Sequence, residues 1–325
     1  MKIQTIFTMS SPYRDDFRIK AYTFGHGEKT LAIVGAMRGD EMQQQYVAAQ
    51  LVRTLAEAEA RGQIAEGISI SVIPSANPFS MNIEKRFWAL DNTDINRMFP
   101  GYDRGETTQR IAAGLFEFIQ DFKYGIQLAS YYLPGNFVPH VRVIETGTGF
   151  EDVTLGLRFG FPYVTTRKPA PFDTVLLNYN WQIWDTQAFS LYAGTTETID
   201  PVTARQSIEG ILRFITSLGM VHGIEVPKGL ASEIVDEDQC VTLQASHAGI
   251  LVDVVDASHR VTRGQVIARI MHPYEGMLVT EVVSPCDGMV FFARNKSITY
   301  QNTVLFRIKP ETQALGTEPE GERLG

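Results

Sequence analysis

A chain of 325 residues exceeds the needs of one ordinary compact core and suits a large domain with a small one. Its apolar content of 44% is enough to bury a sizeable core, which excludes an intrinsically disordered chain. A formal charge of −8 with no basic run excludes broad electrostatic attraction to nucleic acid or to anionic membranes, so the expected partner is a small molecule.

In chain order, residues 29–35 form a short apolar run ending in glycine, the pattern of a buried strand. A helix follows over residues 42–61, where Val47, Leu51 and Leu55 share one face and Gly62 stops it. Residues 68–74 return as a strand closed by proline. This is the βαβ grammar of an α/β sheet, in which ligands sit beyond the carboxyl ends of strands, so the loop 36–41 lies in a site position. After a polar and aromatic stretch over 77–101, residues 107–121 have helical spacing through Ile111, Leu115, Phe118 and Ile119, and 124–128 read as a strand. A last helix over 201–218 aligns Ile208, Ile211, Leu212 and Ile215 before Gly219 ends it. No stretch approaches about 18 uninterrupted apolar residues, and residues 1–10 lack the basic-then-apolar order of a secretion signal, so no membrane partner and a cytoplasmic location are expected.

Beyond residue 223 the character changes to short β-branched runs at 248–255, 265–270, 288–292 and 304–308, an all-β module. Ala248-Gly249-Ile250, Val261-Thr262-Arg263-Gly264-Gln265 and Ser284-Pro285-Cys286-Asp287-Gly288-Met289-Val290 resemble the lipoyl/biotinyl-like barrel-sandwich fold. A carrier of that kind needs a lysine on a hairpin, and residues 271–283 contain none, so the module is read as structural or lid-like. Cys240 and Cys286 form no paired motif and are read as packing residues. The expected organisation is an α/β domain over 1–223, a β domain over 224–310 and a disordered tail over 311–325.

Two segments carry candidate chemistry. Gly35-Ala36-Met37-Arg38-Gly39-Asp40-Glu41 is a turn after a strand; taken alone, Asp40 and Glu41 simply favour the start of the following helix. Asp94-Ile95-Asn96-Arg97-Met98-Phe99-Pro100-Gly101 sets an amide beside a guanidinium, whose planar fork suits a carboxylate. Arg86, Asn96 and Arg97 are therefore expected to hold the anionic end of a ligand, with Asp40 and Glu41 alongside. Tyr131, Tyr132, Asn178, Tyr179, Asn180, Trp181 and Trp184 are dense enough to line a cleft, with core packing the alternative for each.

Together with Asn77-Pro78 before them and Pro139-His140-Val141-Arg142 after, these segments resemble the succinylglutamate desuccinylase/aspartoacylase family over nearly the whole chain. The resemblance implies an α/β fold with a zinc carboxypeptidase-like mixed sheet flanked by helices, an appended β domain, and hydrolysis of an amide or ester in a small carboxylate-bearing, N-acyl amino acid-like molecule. It also implies a zinc site, and there the sequence departs. Arg38 stands where the histidine of a His-Gly-Asp-Glu turn belongs, and Glu41 is the only retained ligand. Gln127-Leu128-Ala129 matches an Asp-Leu-His strand end, and Tyr192 stands where a catalytic glutamate belongs, with Glu197 near enough for a shifted match. A catalytic zinc needs three protein ligands, so these residues disfavour zinc and no cofactor is expected. No HxxxH or HxH pair offers another site. Arg38 is expected to fill the vacated charge position, paired with Glu41 or Asp40. Two functions stay open: hydrolysis by a non-standard mechanism, with Arg38 polarising a carbonyl and Tyr192 or His140 handling protons, or non-catalytic binding of the same ligand. A homo-oligomer is compatible with either.

Overall fold

The computed structural model describes residues 1–12, 15–195 and 197–311. The chain divides into two compact units, Met1–Asp238 and Gln239–Gly325. Of the expected tail over 311–325, residues 312–325 lie outside the described residues.

The N-terminal unit runs β1 (Lys2–Met9), β2 (Phe17–Gly25), β3 (Gly27–Ala36), α1 (Met42–Ala60), β4 (Gly67–Ser75), α2 (Pro78–Met81), α3 (Thr107–Ile119), β5 (Tyr124–Leu128), β6 (Gly135–Ile144), α4 (Val153–Gly156), β7 (Tyr163–Arg167), α5 (Leu177–Ile183), β8 (Gln187–Gly194), α6 (Pro201–Ser217) and β9 (Glu233–Asp236). Its strands lie in the order β1-β2-β4-β3-β5-β8-β6-β7-β9. The central β4-β3-β5-β8 stretch is parallel, and β1, β2 and the β6–β8 junction are antiparallel, so the sheet is mixed. The apolar run in β3 is explained by its two buried faces. Leu31 and Ile33 point to a layer with Leu51 and Leu55 of α1 and Ile211 and Ile215 of α6. Ala32 and Val34 point to the opposite layer, with Ile111 and Leu115 of α3 and Trp181 of α5.

The break in the chain falls at Asp238 rather than residue 223, because β9 pairs in parallel with β7, from Tyr163↔Glu233 to Thr166↔Asp236. The C-terminal unit is all-β: β10 (Val241–Gln244), β11 (Gly249–Val252), β12 (Arg260–Val261), β13 (Val266–Met271), β14 (Leu278–Val283), β15 (Gly288–Arg294), β16 (Ile298–Thr299) and β17 (Val304–Pro310). β15-β17-β10 form one antiparallel set, with β12 on β15, and β14-β13-β11-β16 form another. They share one core that includes Leu251, Ile267, Ile270, Val290, Phe306 and Ile308. Among the described residues no helix is long and apolar enough to cross a membrane.

Candidate functional site

Chemistry-bearing residues gather where β3 and β5 end. Leaving β3, the chain makes a tight turn that Glu41 closes on itself: its Oε2 accepts the backbone N–H of Met37 at 2.8 Å and of Arg38 at 3.0 Å. Gly39 is required here, since a Cβ would meet the Lys85 carbonyl oxygen at 2.1 Å. The Arg38 side chain is then held on three sides. Nε and Nη2 donate to the Asp94 carboxylate, the latter at 2.8 Å, and Nη1 donates to Glu41 Oε1 at 3.2 Å and to the carbonyl and hydroxyl oxygens of Ser130 at 2.9 Å. The Ser130 hydroxyl donates in turn to Glu41 Oε1. Arg38 is 3% exposed and Glu41 1%. Burial works against the charge on Arg38, but Asp94 and Glu41 more than offset it and hold the guanidinium above its ordinary pKa. Of its N–H groups, only the second on Nη2 has no partner among the described residues.

The expected pairing of Arg38 with Glu41 is present; the alternative with Asp40 is not. Asp40 instead accepts from Arg86 Nη1 at 2.6 Å. Asp94 and Ser130 are members that sequence reasoning missed. Asp94 carried a usable signal, because it opens the Asp-Ile-Asn-Arg segment as an N-cap. Its Oδ1 accepts the Asn96 backbone N–H at 3.1 Å.

A second buried cation adjoins the first. Arg142, on β6, lies over the rings of Tyr131 and Tyr192 at 4.5 and 4.4 Å from their centroids. It donates to both hydroxyls, at 2.7 Å to Tyr192, and forks onto Glu237, which also accepts from Thr165 Oγ1 at 2.9 Å. Burial opposes the Arg142 charge and Glu237 outweighs it, so this pKa too is raised. His140 lies in β6 rather than in a loop, fully buried; its ring stacks on Tyr192 at 4.8 Å and Nδ1 donates to the Val138 carbonyl at 2.8 Å.

The residues expected to hold an anion divide. Arg86 is committed, to Asp40 and to the carbonyls of Tyr131 and Tyr132. Asn96 accepts from Gln127 Nε2 at 2.9 Å through Oδ1, leaving its amide N–H groups without a partner among the described residues. Arg97 is the open one. Its side chain is 38% exposed, rests on the Tyr132 ring at 4.2 Å, and comes no nearer to a carboxylate than 3.8 Å, at Asp94. Gly101, at φ +96°, closes the segment against α3, where a Cβ would meet the Ala113 nitrogen at 2.1 Å. Of the expected cluster, Tyr131 and Tyr132 reach the site. Asn178 binds Ser190, Asn180 binds backbone carbonyls, Trp181 donates to the Ile119 carbonyl in the core, and Trp184 packs on Phe116. A cavity of about 710 Å³ lies elsewhere, lined by Phe17, Arg18, Phe79, Trp88 and Leu90 among others, and none of Arg38, Glu41, Arg97 or Tyr192 lines it.

The donor set does not fit zinc. Both Glu41 oxygens are occupied by N–H and O–H donors, Asp94 is forked by a guanidinium, and position 129 is an alanine. Among the described residues no group of three or more His, Cys, Asp or Glu side chains is arranged to hold a metal ion.

Residues 27–128 match the model of the succinylglutamate desuccinylase/aspartoacylase catalytic domain. The chain is 22% identical over 302 residues to the N-alpha-acetyl-L-2,4-diaminobutyric acid deacetylase of Halomonas elongata, covering 88% of this chain and 84% of that protein. Its fold is similar to that of a succinylglutamate desuccinylase from a Silicibacter species, with a TM-score of 0.80, 18% identity and 94% of each chain covered. It is also similar to the product-bound ectoine utilization protein of Ruegeria pomeroyi, with a TM-score of 0.75, 17% identity and 90% and 89% coverage.

Proposed function

We propose that the chain is a member of the succinylglutamate desuccinylase/aspartoacylase family, as the match over residues 27–128 and the 22% identical relative support, and that it takes a small carboxylate-bearing, N-acyl amino acid-like molecule and hydrolyses its amide bond. The observation that carries the ligand class is Arg97. It is a guanidinium braced on Tyr132, beside the Asn96 amide, with no carboxylate inside 3.8 Å. A carboxylate docked there would gain charge-assisted hydrogen bonds at the expense of no more than the 3.8 Å approach to Asp94. Hydrolysis is supported by the 22% identical relative, a deacetylase of an N-acetyl amino acid.

Turnover needs a polarised carbonyl and a proton acceptor for water. This chain's candidates are the remaining Nη2 N–H of Arg38 for the carbonyl and, for the proton, the Tyr192 oxygen to which Arg142 donates at 2.7 Å, which can take a proton from water only in its phenolate form. A second reading, non-catalytic binding of the same ligand, is favoured by one observation: both oxygens of Glu41 are already engaged, so that carboxylate is not available as a base.

The test is a deacylation assay over N-acyl amino acids, N-acetyl-2,4-diaminobutyrate included, run beside calorimetric titration of the same compounds. Turnover whose KM rises in Arg97→Ala and whose kcat falls in Tyr192→Phe supports the hydrolase. Saturable, Arg97-dependent binding without turnover selects the second reading, and absence of both refutes the ligand class.

A further inference from the structure

We infer that the centre is metal-independent, with the Arg38 guanidinium as its resident cation, standing among Glu41, Asp94 and Ser130 where the family's metal belongs. The inference rests on reading the 36–41 turn as the site proposed above. Its test measures metal alone, so failure of either reading leaves the other standing.

Three observations converge. Glu41 has no oxygen to give: Oε2 is tied to the backbone N–H groups of Met37 and Arg38, and Oε1 to Arg38 Nη1 and the Ser130 hydroxyl. The charges already balance, since Arg38 lies between Asp94 and Glu41 while Arg97 approaches Asp94 at 3.8 Å, giving two cations to two carboxylates. A divalent ion would add uncompensated positive charge in a region where Arg38 and Glu41 are nearly solvent-free. Finally, a guanidinium cannot step aside by losing its proton, as an imidazole does to ligate a metal.

The structure also says what would reverse the state. Removing the guanidinium leaves Glu41 Oε1 with the rotatable Ser130 hydroxyl as its one remaining donor, while the backbone N–H groups continue to aim the carboxylate through Oε2. Imidazoles at positions 38 and 129 would then complete three ligands.

The experiment compares the full chain with Arg38→His/Ala129→His, both produced with added zinc, desalted and analysed by plasma mass spectrometry, with thermal transitions recorded with and without EDTA. The wild type is expected to carry no stoichiometric zinc and to keep its transition temperature in EDTA. The double variant is expected to gain one zinc per chain and to lose transition temperature on chelation. Stoichiometric zinc in the wild type, with a transition lowered by EDTA, would overturn the assignment. So would a double variant with wild-type circular dichroism that remains as zinc-free as the parent. Should the double variant not fold, the wild-type measurement decides alone.

Discussion

Replacing Arg38 by methionine keeps most of the side-chain volume and removes the only charge between two buried carboxylates. Asp94 loses its fork and Glu41 its Nη1 contact, while the Ser130 carbonyl and hydroxyl lose a donor. Breaking a buried ion pair by removing one partner costs about 3–5 kcal/mol, because the partner's charge stays desolvated. For a unit of this size such a loss lowers the transition temperature by roughly 6–20 °C. Thermal and urea denaturation followed by circular dichroism measure it. The triple variant Arg38→Met/Glu41→Gln/Asp94→Asn, which removes all the charges at once, is expected to recover most of the loss. An Arg38→Met protein within about 1 kcal/mol of wild type would refute the account, since ordinary surface substitutions fall in that range.

Arg97→Ala, at a half-exposed position, should leave stability within about 0.5 kcal/mol and weaken carboxylate binding by at least about 1.5 kcal/mol, roughly tenfold; unchanged affinity in a calorimetric titration would remove Arg97 from the site. Glu237→Ala strips the buried Arg142 of its forked partner and is expected to cost about 3–5 kcal/mol, with Glu237→Gln, which keeps an acceptor for the guanidinium, costing less; a Glu237→Ala protein with the wild-type denaturation midpoint would refute the pairing. Asp152 caps α4 by accepting from the backbone and hydroxyl of Thr154, and with the Leu155 N–H these bonds hold its carboxyl below the ordinary 3.8. Its folded-state pKa is depressed, so its stabilisation is present above that ordinary value and is lost as pH falls through the folded pKa. Asp152→Ala should therefore cost about 1 kcal/mol near neutrality and progressively less in acid; a cost constant with pH would count against the cap.

What could be read in the sequence follows from how locally each feature is encoded. β3 is a continuous apolar run because both its faces are buried, and α1, α3 and α6 show their periodicity because each buries one face. β6, β7 and β8 are harder to bound for an opposite reason. They carry Arg142 and His140, Thr165 and Thr166, and Ser190, polar residues buried among partners, which interrupt the hydropathy signal of a strand. The site divides in the same way. Arg38 and Glu41 are three residues apart and readable together, whereas Arg38 finds Asp94 across 56 positions and Ser130 across 92, and Arg142 finds Glu237 across 95. Such pairings are set by where β3, β5, β6 and β9 bring the chain, and no spacing rule reports them.

These buried charges do more than neutralise one another. Asp94 accepts from Arg38 with both carboxylate oxygens, and one of them also caps the turn that carries Asn96 and Arg97. Ser130, bound to the same guanidinium, precedes Tyr131 and Tyr132, and Tyr132 is the ring on which Arg97 rests. Arg38 therefore joins the 36–41 turn, the 94–97 turn and the 130–132 segment at one point, much as a ligated metal would tie three loops together. The residues proposed to hold the anion, Asn96 and Arg97, are thus positioned from behind through the bonds Arg38 makes to Asp94 and Ser130. A substitution at Arg38 should then be felt at Arg97, through Asp94 and Tyr132, even where the fold survives it.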